Sequence, residues 1–215
     1  IYWIGGHDFV FTRFENLIPI SRGISYNSYF IDDEKTAVLD TVDSVIRDVF
    51  MDNVSHLLHG RQLDYIVINH MEPDHSGSIR MLRHLYPDIK IIGNKKTVEM
   101  IDAFYNIKEN IIEVKEGDVL DLGHHKVTFA MIPMVHWPEV TFTYDETEKV
   151  LFSAEAFGTF GAIHGSIFAD AVDYADVYGV EGRRYYTNTT GKYGMQVLSA
   201  LKKTEALPID IICSL

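Results

Sequence analysis

The sequence predicts a mixed α/β (α+β) chain folded as a four-layer αββα sandwich. Three observations carry this: a β-rich start, a central stretch in which strands alternate with helices, and a second β-rich stretch that runs into helices and a last strand. At the start, Asp8 to Phe14, Ser25 to Ile31 and Lys35 to Val42 read as strands, and the turn Asp32-Asp33-Glu34 joins the last two as a hairpin. Ser44 is the expected cap of a helix through about Leu58, because Val45, Val49, Phe50, Val54 and Leu57 recur at helical spacing. Asp64 to Asn69 is apolar without alternation, as a strand buried on both faces should be.

Ser78 to Leu85 resumes helical spacing and stops before Pro87. Lys90 to Ile92 and Ile111 to Val114 follow as strands around a helix at Thr97 to Tyr105, the pattern of βαβ units. Past Gly117-Asp118 the segments Val119 to Leu122, Lys126 to Ile132, Glu139 to Tyr144 and Val150 to Phe152 are short and β-like, which predicts a second, mostly antiparallel sheet. Ala154 to Ala169, rich in glycine and aromatics and without a period, reads as a long ordered loop. Tyr174 to Lys203 gives two helical stretches broken near Thr187 to Gly191, before a final strand.

The 215 residues, 47% of them hydrophobic, suffice for one core, so residues 1–215 are expected to form a single domain. Nineteen basic against 31 acidic side chains give a net charge of −12, which repels phosphate backbones and anionic lipid. No nucleic acid and no membrane partner is expected. The single cysteine, Cys213, forbids an internal disulfide and any multi-thiolate metal site and suits a reducing compartment. No apolar run approaches the ~18 to 20 residues of a membrane span and no secretory leader pattern opens the chain, so a soluble, cytoplasmic protein is expected.

Chemistry concentrates in Asn69-His70-Met71-Glu72-Pro73-Asp74-His75, directly after the buried strand 64–69 and hence at a strand's carboxyl end, where α/β sheets bind ligands. His70 and Glu72, two apart in an extended loop, can face one side. Pro73 then bends the chain so that Asp74 and His75 can face a second position, and one loop can serve two adjacent metal ions. A solvated polar loop is the plain alternative. Against it stand His136, which opens His-Trp-Pro-Glu after a β-run, and Glu155, which follows the strand 150–152; both again lie just past strand ends. Asp40 is a candidate partner to fix a ligand histidine, and Tyr26, Trp137, Phe157 and Tyr193 are candidate pocket walls. His7, His56, His59 and His84 are expected on surface turns or helix faces, and His124-His125 in a turn between strands. His164, in the long loop, could approach the pocket, although no motif places it there.

The spacing His-X-Glu-X-Asp-His, then 60 residues to His136, then 18 to Glu155, resembles the flavodiiron proteins, a branch of the metallo-β-lactamase fold also known as A-type flavoproteins. The resemblance runs through the whole chain: Gly23-Ile24-Ser25-Tyr26-Asn27-Ser28-Tyr29, Leu39-Asp40-Thr41-Val42, the 69–77 loop, His136-Trp137-Pro138, Leu151-Phe152-Ser153, Ala156-Phe157-Gly158 and Gly191-Lys192-Tyr193-Gly194. It implies that His70, Glu72 and His136 bind one iron, that Asp74 and His75 serve a second, and that Glu155 bridges the two. It also implies a diiron oxidoreductase that reduces O2 to water or NO to N2O. Electrons would come from FMN on a following flavodoxin-like domain, fed by a rubredoxin-like donor, in a head-to-tail homodimer. Oxygen detoxification, nitric oxide reduction and electron transport are the roles that go with this.

Two departures from the pattern are visible. The family has Asp where this chain has Glu155, and it supplies a last histidine to the second iron soon after the strand ending at Cys213, whereas this chain stops at Leu215. Starting at Ile1 and stopping there, it reads as the metal-binding domain of a longer polypeptide. Two competing functions remain: a dinuclear hydrolase of the metallo-β-lactamase fold, and a metal-poor structural or interaction fragment. Glu72 disfavours the hydrolase, because zinc hydrolases of the superfamily carry His there, and an anionic oxygen donor favours iron over zinc.

Overall fold

Two β-sheets packed face to face, with helices on their outer sides, make up the computed structural model, which describes residues 1–215. The N-terminal half contributes β1 (Tyr2–Trp3), β2 (Gly6–Asp8), β3 (Arg13–Phe14), β4 (Ile18–Pro19), β5 (Ile24–Tyr26), β6 (Tyr29–Ile31), β7 (Ala37–Leu39), α1 (Arg47–Leu58), β8 (Tyr65–Val67), α2 (Pro73–Ser76), α3 (Ile79–Leu85), β9 (Lys90–Asn94), α4 (Lys95–Tyr105) and β10 (Ile111–Val114). The C-terminal half contributes β11 (Val119–Asp121), β12 (Lys126–Met131), β13 (Thr141–Asp145), β14 (Val150–Phe152), α5 (Tyr174–Thr189), α6 (Gly194–Glu205) and β15 (Ile211–Cys213).

The first sheet has the order β1-β6-β7-β8-β9-β10 and the second β11-β12-β13-β14-β15. Strands β7 to β10 are parallel, as βαβ connections require, whereas β11 to β14 are antiparallel and β15 joins β14 in parallel. Layering follows from the two-residue period of the strands. On the first sheet Phe30, Val38, Ile66 and Ile91 face a core shared with Phe50, Val54 and Leu58 of α1, Leu82 of α3 and Ile101 of α4. Their neighbours Ile31, Leu39, Val67 and Ile92 face the other way and meet Val127, Phe129, Val150 and Phe152 of the second sheet. The outer face of the second sheet buries Phe142, Tyr144 and Leu151 against Ala200 of α6. The order helix, sheet, sheet, helix is the predicted αββα sandwich.

Several boundaries differ from the sequence reading, each for a local reason. Asp8 to Phe14 is not one strand: the Asp8 carboxylate accepts the backbone N–H groups of Val10, at 2.7 Å, and Phe11, which turns the chain after β2. Ser25 to Ile31 splits at Asn27, because β5 pairs with β2 while β6 pairs with β1 and β7. Asp43, not Ser44, caps the α1 region by accepting the Val45 N–H at 2.8 Å, and a 3-10 turn at Ser44–Ile46 comes first. That turn rotates the helix so that Ile46, Phe50, Val54 and Leu58 face inward while Val45 and Val49 are exposed. The strand expected from Glu139 begins at Thr141, and Glu139 turns toward the cluster described below.

Phe50 is fully buried and links α1 to the first sheet. Phe50→Ala is expected to lower the free energy of unfolding by ~3–5 kcal/mol, read by urea denaturation, because the site is enclosed by two layers that cannot collapse onto the cavity.

Candidate metal centre

The strands that face each other across the inner core end on one side of the sandwich, and each end delivers polar side chains into the same cleft. Strand β7 leaves its sheet at Asp40, whose φ of 51° is left-handed for a non-glycine residue. The fully buried Asp40 carboxylate accepts the Asn69 N–H at 2.6 Å through one oxygen and lies 2.9 Å from His75 Nδ1 through the other. It therefore ties the end of β7 to the loop after β8. That loop carries His70 and Glu72, then enters the single turn α2, where Pro73 suits the first helical position and His75 N–H donates to the Glu72 carbonyl at 2.9 Å. The Thr41 N–H and hydroxyl both donate to the His75 carbonyl, at 2.6 and 2.8 Å. Gly77 closes the turn where a Cβ would meet the Pro73 carbonyl oxygen at 2.6 Å, so no other residue fits unchanged.

His136 and Glu155 come from the second sheet. His136 follows Met134 (φ 67°) in the loop between β12 and β13, and Glu155 follows Ala154 (φ 46°) just past β14. Non-glycine residues in this region cost energy and persist where the surrounding structure fixes them, here within two residues of each inward-facing side chain.

Two groups of donor atoms result. His70, Glu72, His136 and Glu155 form one, and Asp74, His75 and Glu155 form the other; within each group the donor atoms lie within 4.8 Å of one another. Glu72 Oε2 stands 3.0 Å from both His70 Nε2 and His136 Nε2. Glu155 belongs to both groups because its oxygens diverge: Oε1 is 3.1 Å from His75 Nε2 and Oε2 is 3.7 Å from His136 Nε2. All six residues singled out in the sequence are thus brought together.

The donor set fits a pair of cations. Glu139 Oε1 engages His70 Nδ1 at 2.7 Å and Asp40 engages His75 Nδ1, so each imidazole turns its Nε2 inward, as metal-bound histidines do. Asp74 Oδ1 is buried with no hydrogen-bond partner at all, an orphan acceptor that a cation would satisfy. Three imidazoles with carboxylate oxygens suit iron-type divalent ions, and no thiolate is near.

Without a cation the cluster holds protons instead. Burial opposes the charge on His70, yet Glu139 and Glu72 outweigh it and push its pKa up to about 9. Burial likewise opposes the charge on His75, but Asp74, Asp40 and Glu155 drive it well up. Burial lifts the Asp74 carboxyl to about 7, with the charges of Glu155 and Glu72 adding to it against the pull of His75. Glu72 and Glu155 are held low despite burial, the first by His136 and His70, the second by His75.

Three participants were not legible as such in the sequence. Glu139 was visible as the acid of His-Trp-Pro-Glu at the head of an apolar strand, but its bond to His70 spans 69 positions. Tyr185, on α5, donates its hydroxyl to Glu155 Oε2, and nothing in a helical sequence marks it. Glu15, at the tip of the β3–β4 hairpin, lies close enough to the cluster that its interaction with the Glu72 carboxylate, then burial and the charges of Asp74 and Glu155, push its carboxyl up to about 8.

Of the suggested pocket walls, Trp137 packs edge-on against His70 at 5.1 Å between ring centroids and against His136 at 6.1 Å. Phe157 lines a largely apolar cavity of about 1140 Å³ that reaches Asp74 and Glu155. Tyr26 is a core residue, and Tyr193 packs with Lys192 and does not line the cavity. His164 is exposed, its N–H donating to the Tyr178 hydroxyl, and it does not join the cluster. His7 lies on β2 rather than in a turn, bonded to Ser25, and buried His125 pairs with Asp145 at 2.9 Å in the turn before β12.

The model of the ODP family β-lactamase matches residues 24–213 of this chain. An anaerobic nitric oxide reductase flavorubredoxin from Vibrio vulnificus is 34% identical over 219 residues, covering 100% of this chain and 44% of that protein. Among solved structures, the flavodiiron protein from Giardia intestinalis superposes with a TM-score of 0.93 at 30% identity, over 99% of this chain and 52% of its own. The rubredoxin oxygen:oxidoreductase from Desulfovibrio gigas does so with 0.92 at 29% identity, over 99% of this chain and 53% of its own. The αββα sandwich is therefore that of the metallo-β-lactamase-like domains of flavodiiron proteins. This chain spans about half the length of the relatives it matches.

The displaced pKa values fix the sign of the pH response. In the metal-free chain, folded His70, Asp74 and Glu15 keep protons that the unfolded chain has shed, so stability should fall as pH rises from about 5 to about 9. Depressed Glu72 and Glu155 should make it fall again on the acid side, below the ordinary carboxylate range. Urea midpoints taken with a chelator check this: a higher midpoint at about pH 9 than at about pH 6 would contradict it.

Metal affinity should run the other way, rising with pH, because the donors must release protons to bind; calorimetry in two buffers of different ionisation heat reads that release. Glu139→Ala should lower metal affinity about 10- to 100-fold by freeing the His70 ring, measured by competition with a chromophoric chelator.

Proposed function

This chain belongs to the ODP β-lactamase family, and from that premise we propose that it is the metal-carrying domain of a flavodiiron oxidoreductase that reduces NO, O2 or both. The observation that carries the reading is the pair of histidine–carboxylate groups that share Glu155, one oxygen toward each. On this reading His70, Glu72 and His136 hold one iron, Asp74 and His75 the other, and Glu155 spans both. Two irons held there would supply paired one-electron chemistry toward a diatomic molecule.

The chain's own residues do the rest. Glu139 and Asp40 orient the two ligand histidines from behind. Trp137 shields the His70 and His136 rings from water. The cavity that opens on Asp74 and Glu155 is lined mostly by apolar side chains, which admit an uncharged diatomic and disfavour anions. We place FMN on a flavodoxin-like domain outside residues 1–215, in the half of the relatives' length that this chain does not span, with a rubredoxin-like donor feeding it in a cytoplasmic homodimer. No helix is long and apolar enough to cross a membrane, and the single Cys213 suits a reducing compartment.

Glu72 counts against a zinc hydrolase, since an anionic oxygen stands where a neutral imidazole would be needed. Anaerobic reconstitution with ferrous iron tests the assignment. We expect about two irons per chain and reductant-driven consumption of NO or O2, with Glu72→Ala losing the first metal and the turnover. Zinc retention with ester hydrolysis would point to the hydrolase instead, and negligible binding of any cation to a structural role.

A further inference from the structure

The sixth ligand candidate, Glu155, is longer than the aspartate that the resemblance leads one to expect, and it must still place one oxygen toward each metal position. Its extra rotatable bond gives it orientations in which it serves only one side. Tyr185 removes that freedom. Its hydroxyl donates to Glu155 Oε2, the oxygen nearer His136, and leaves Oε1 facing His75. Because a carboxylate oxygen has two lone-pair directions, Oε2 can keep this bond and still bind a cation.

The tyrosine is itself fixed. It lies on α5 in the main core, 8% exposed, with its ring edge-on to Phe160 at 4.9 Å. Phe160 in turn packs on Phe14 and lies under the Arg184 guanidinium at 4.6 Å.

We propose that Tyr185 is a positioning residue that pins Glu155 in the orientation able to span two metals, and so sets the affinity of the Asp74–His75 position. This rests on the diiron reading above. The two positions differ in what they need from Glu155: the first has His70, Glu72 and His136 without it, whereas the second has only Asp74 and His75. Loss of the pin should therefore weaken the second metal and spare the first.

The experiment is a stepwise Co2+ titration of the chain, followed by visible d–d absorption, for the wild type, Tyr185→Phe, Glu155→Asp and the double variant. Thermal unfolding of each metal-free form serves as the folding control. Tyr185→Phe should lower affinity for the second equivalent about 10-fold or more and alter its spectrum, with the first equivalent unchanged. In the Glu155→Asp background the same change should have almost no effect, because a side chain one methylene shorter no longer meets the hydroxyl. A merely structural role would weaken both backgrounds equally, which would overturn the proposal, as would two unchanged equivalents in Tyr185→Phe. A wild type that binds no Co2+ would overturn the diiron reading and this inference together.

Discussion

Charge balance in one buried cleft governs this molecule. Five carboxylates, those of Asp40, Glu72, Asp74, Glu139 and Glu155, converge with three imidazoles, His70, His75 and His136, and nearly all are shielded from water. Even with every imidazole protonated, two negative charges lack compensation, and no Lys or Arg forms an ion pair with any of the five. An uncompensated buried charge is expensive, so the metal-free protein answers with raised imidazole and Asp74 pKa values. Two divalent cations with neutral imidazoles would leave one negative charge and free the protons. The negative charge left over among these buried groups is what a pair of cations would relieve.

The scaffold meets this demand at the ends of its strands. Parallel strands β7 and β8 deliver Asp40 and the His70–His75 loop, while β12 and β14 deliver His136 and Glu155 from the facing sheet. Asp40, Met134 and Ala154 are left-handed, so each strand is broken sharply where its functional side chain must turn inward. Backbone groups are bound in the same stroke: Asp40 takes the Asn69 N–H, Glu139 takes the Met71 N–H at 2.9 Å, and the Thr141 N–H donates to the Asn69 carbonyl at 2.9 Å. The loop is therefore set before any metal arrives, which limits the ordering that binding must add.

What could be seen in the sequence follows from how local the signal is. The alternation of strand and helix across 64–114 and the change to antiparallel strands after Gly117 depend on side-chain period alone, and both sheets appear as expected. The candidate metal loop is legible because four of its donor-type side chains lie within six residues, His70 to His75. His136 and Glu155 stand out as polar residues just past apolar runs. By contrast, the break after Asp8 depends on one carboxylate folding back on two N–H groups, and the α1 face depends on a 3-10 turn that shifts the register. Tyr185 and Glu15 act across 30 and 57 positions of chain, on elements whose own periodicity gives no reason to single them out. Long-range polar contacts of single residues are what periodicity cannot encode.

The two metal positions also differ in how they couple to the fold. One draws His70 and Glu72 from the first sheet's loop and His136 from the second sheet, so a cation there joins the two halves across the end of their shared core of Leu39, Val67, Phe129 and Phe152. The other draws Asp74 and His75 from a single short turn and reaches the second sheet through Glu155 alone. A cation bound at the first position would therefore stabilise the packing of sheet on sheet, in proportion to the logarithm of free metal over its dissociation constant. Binding at the second depends on Glu155 already being in place. The cross-sheet position is thus the one at which a bound cation would be felt by the packing of the two sheets, whereas the turn position would rely on Glu155 being held in place.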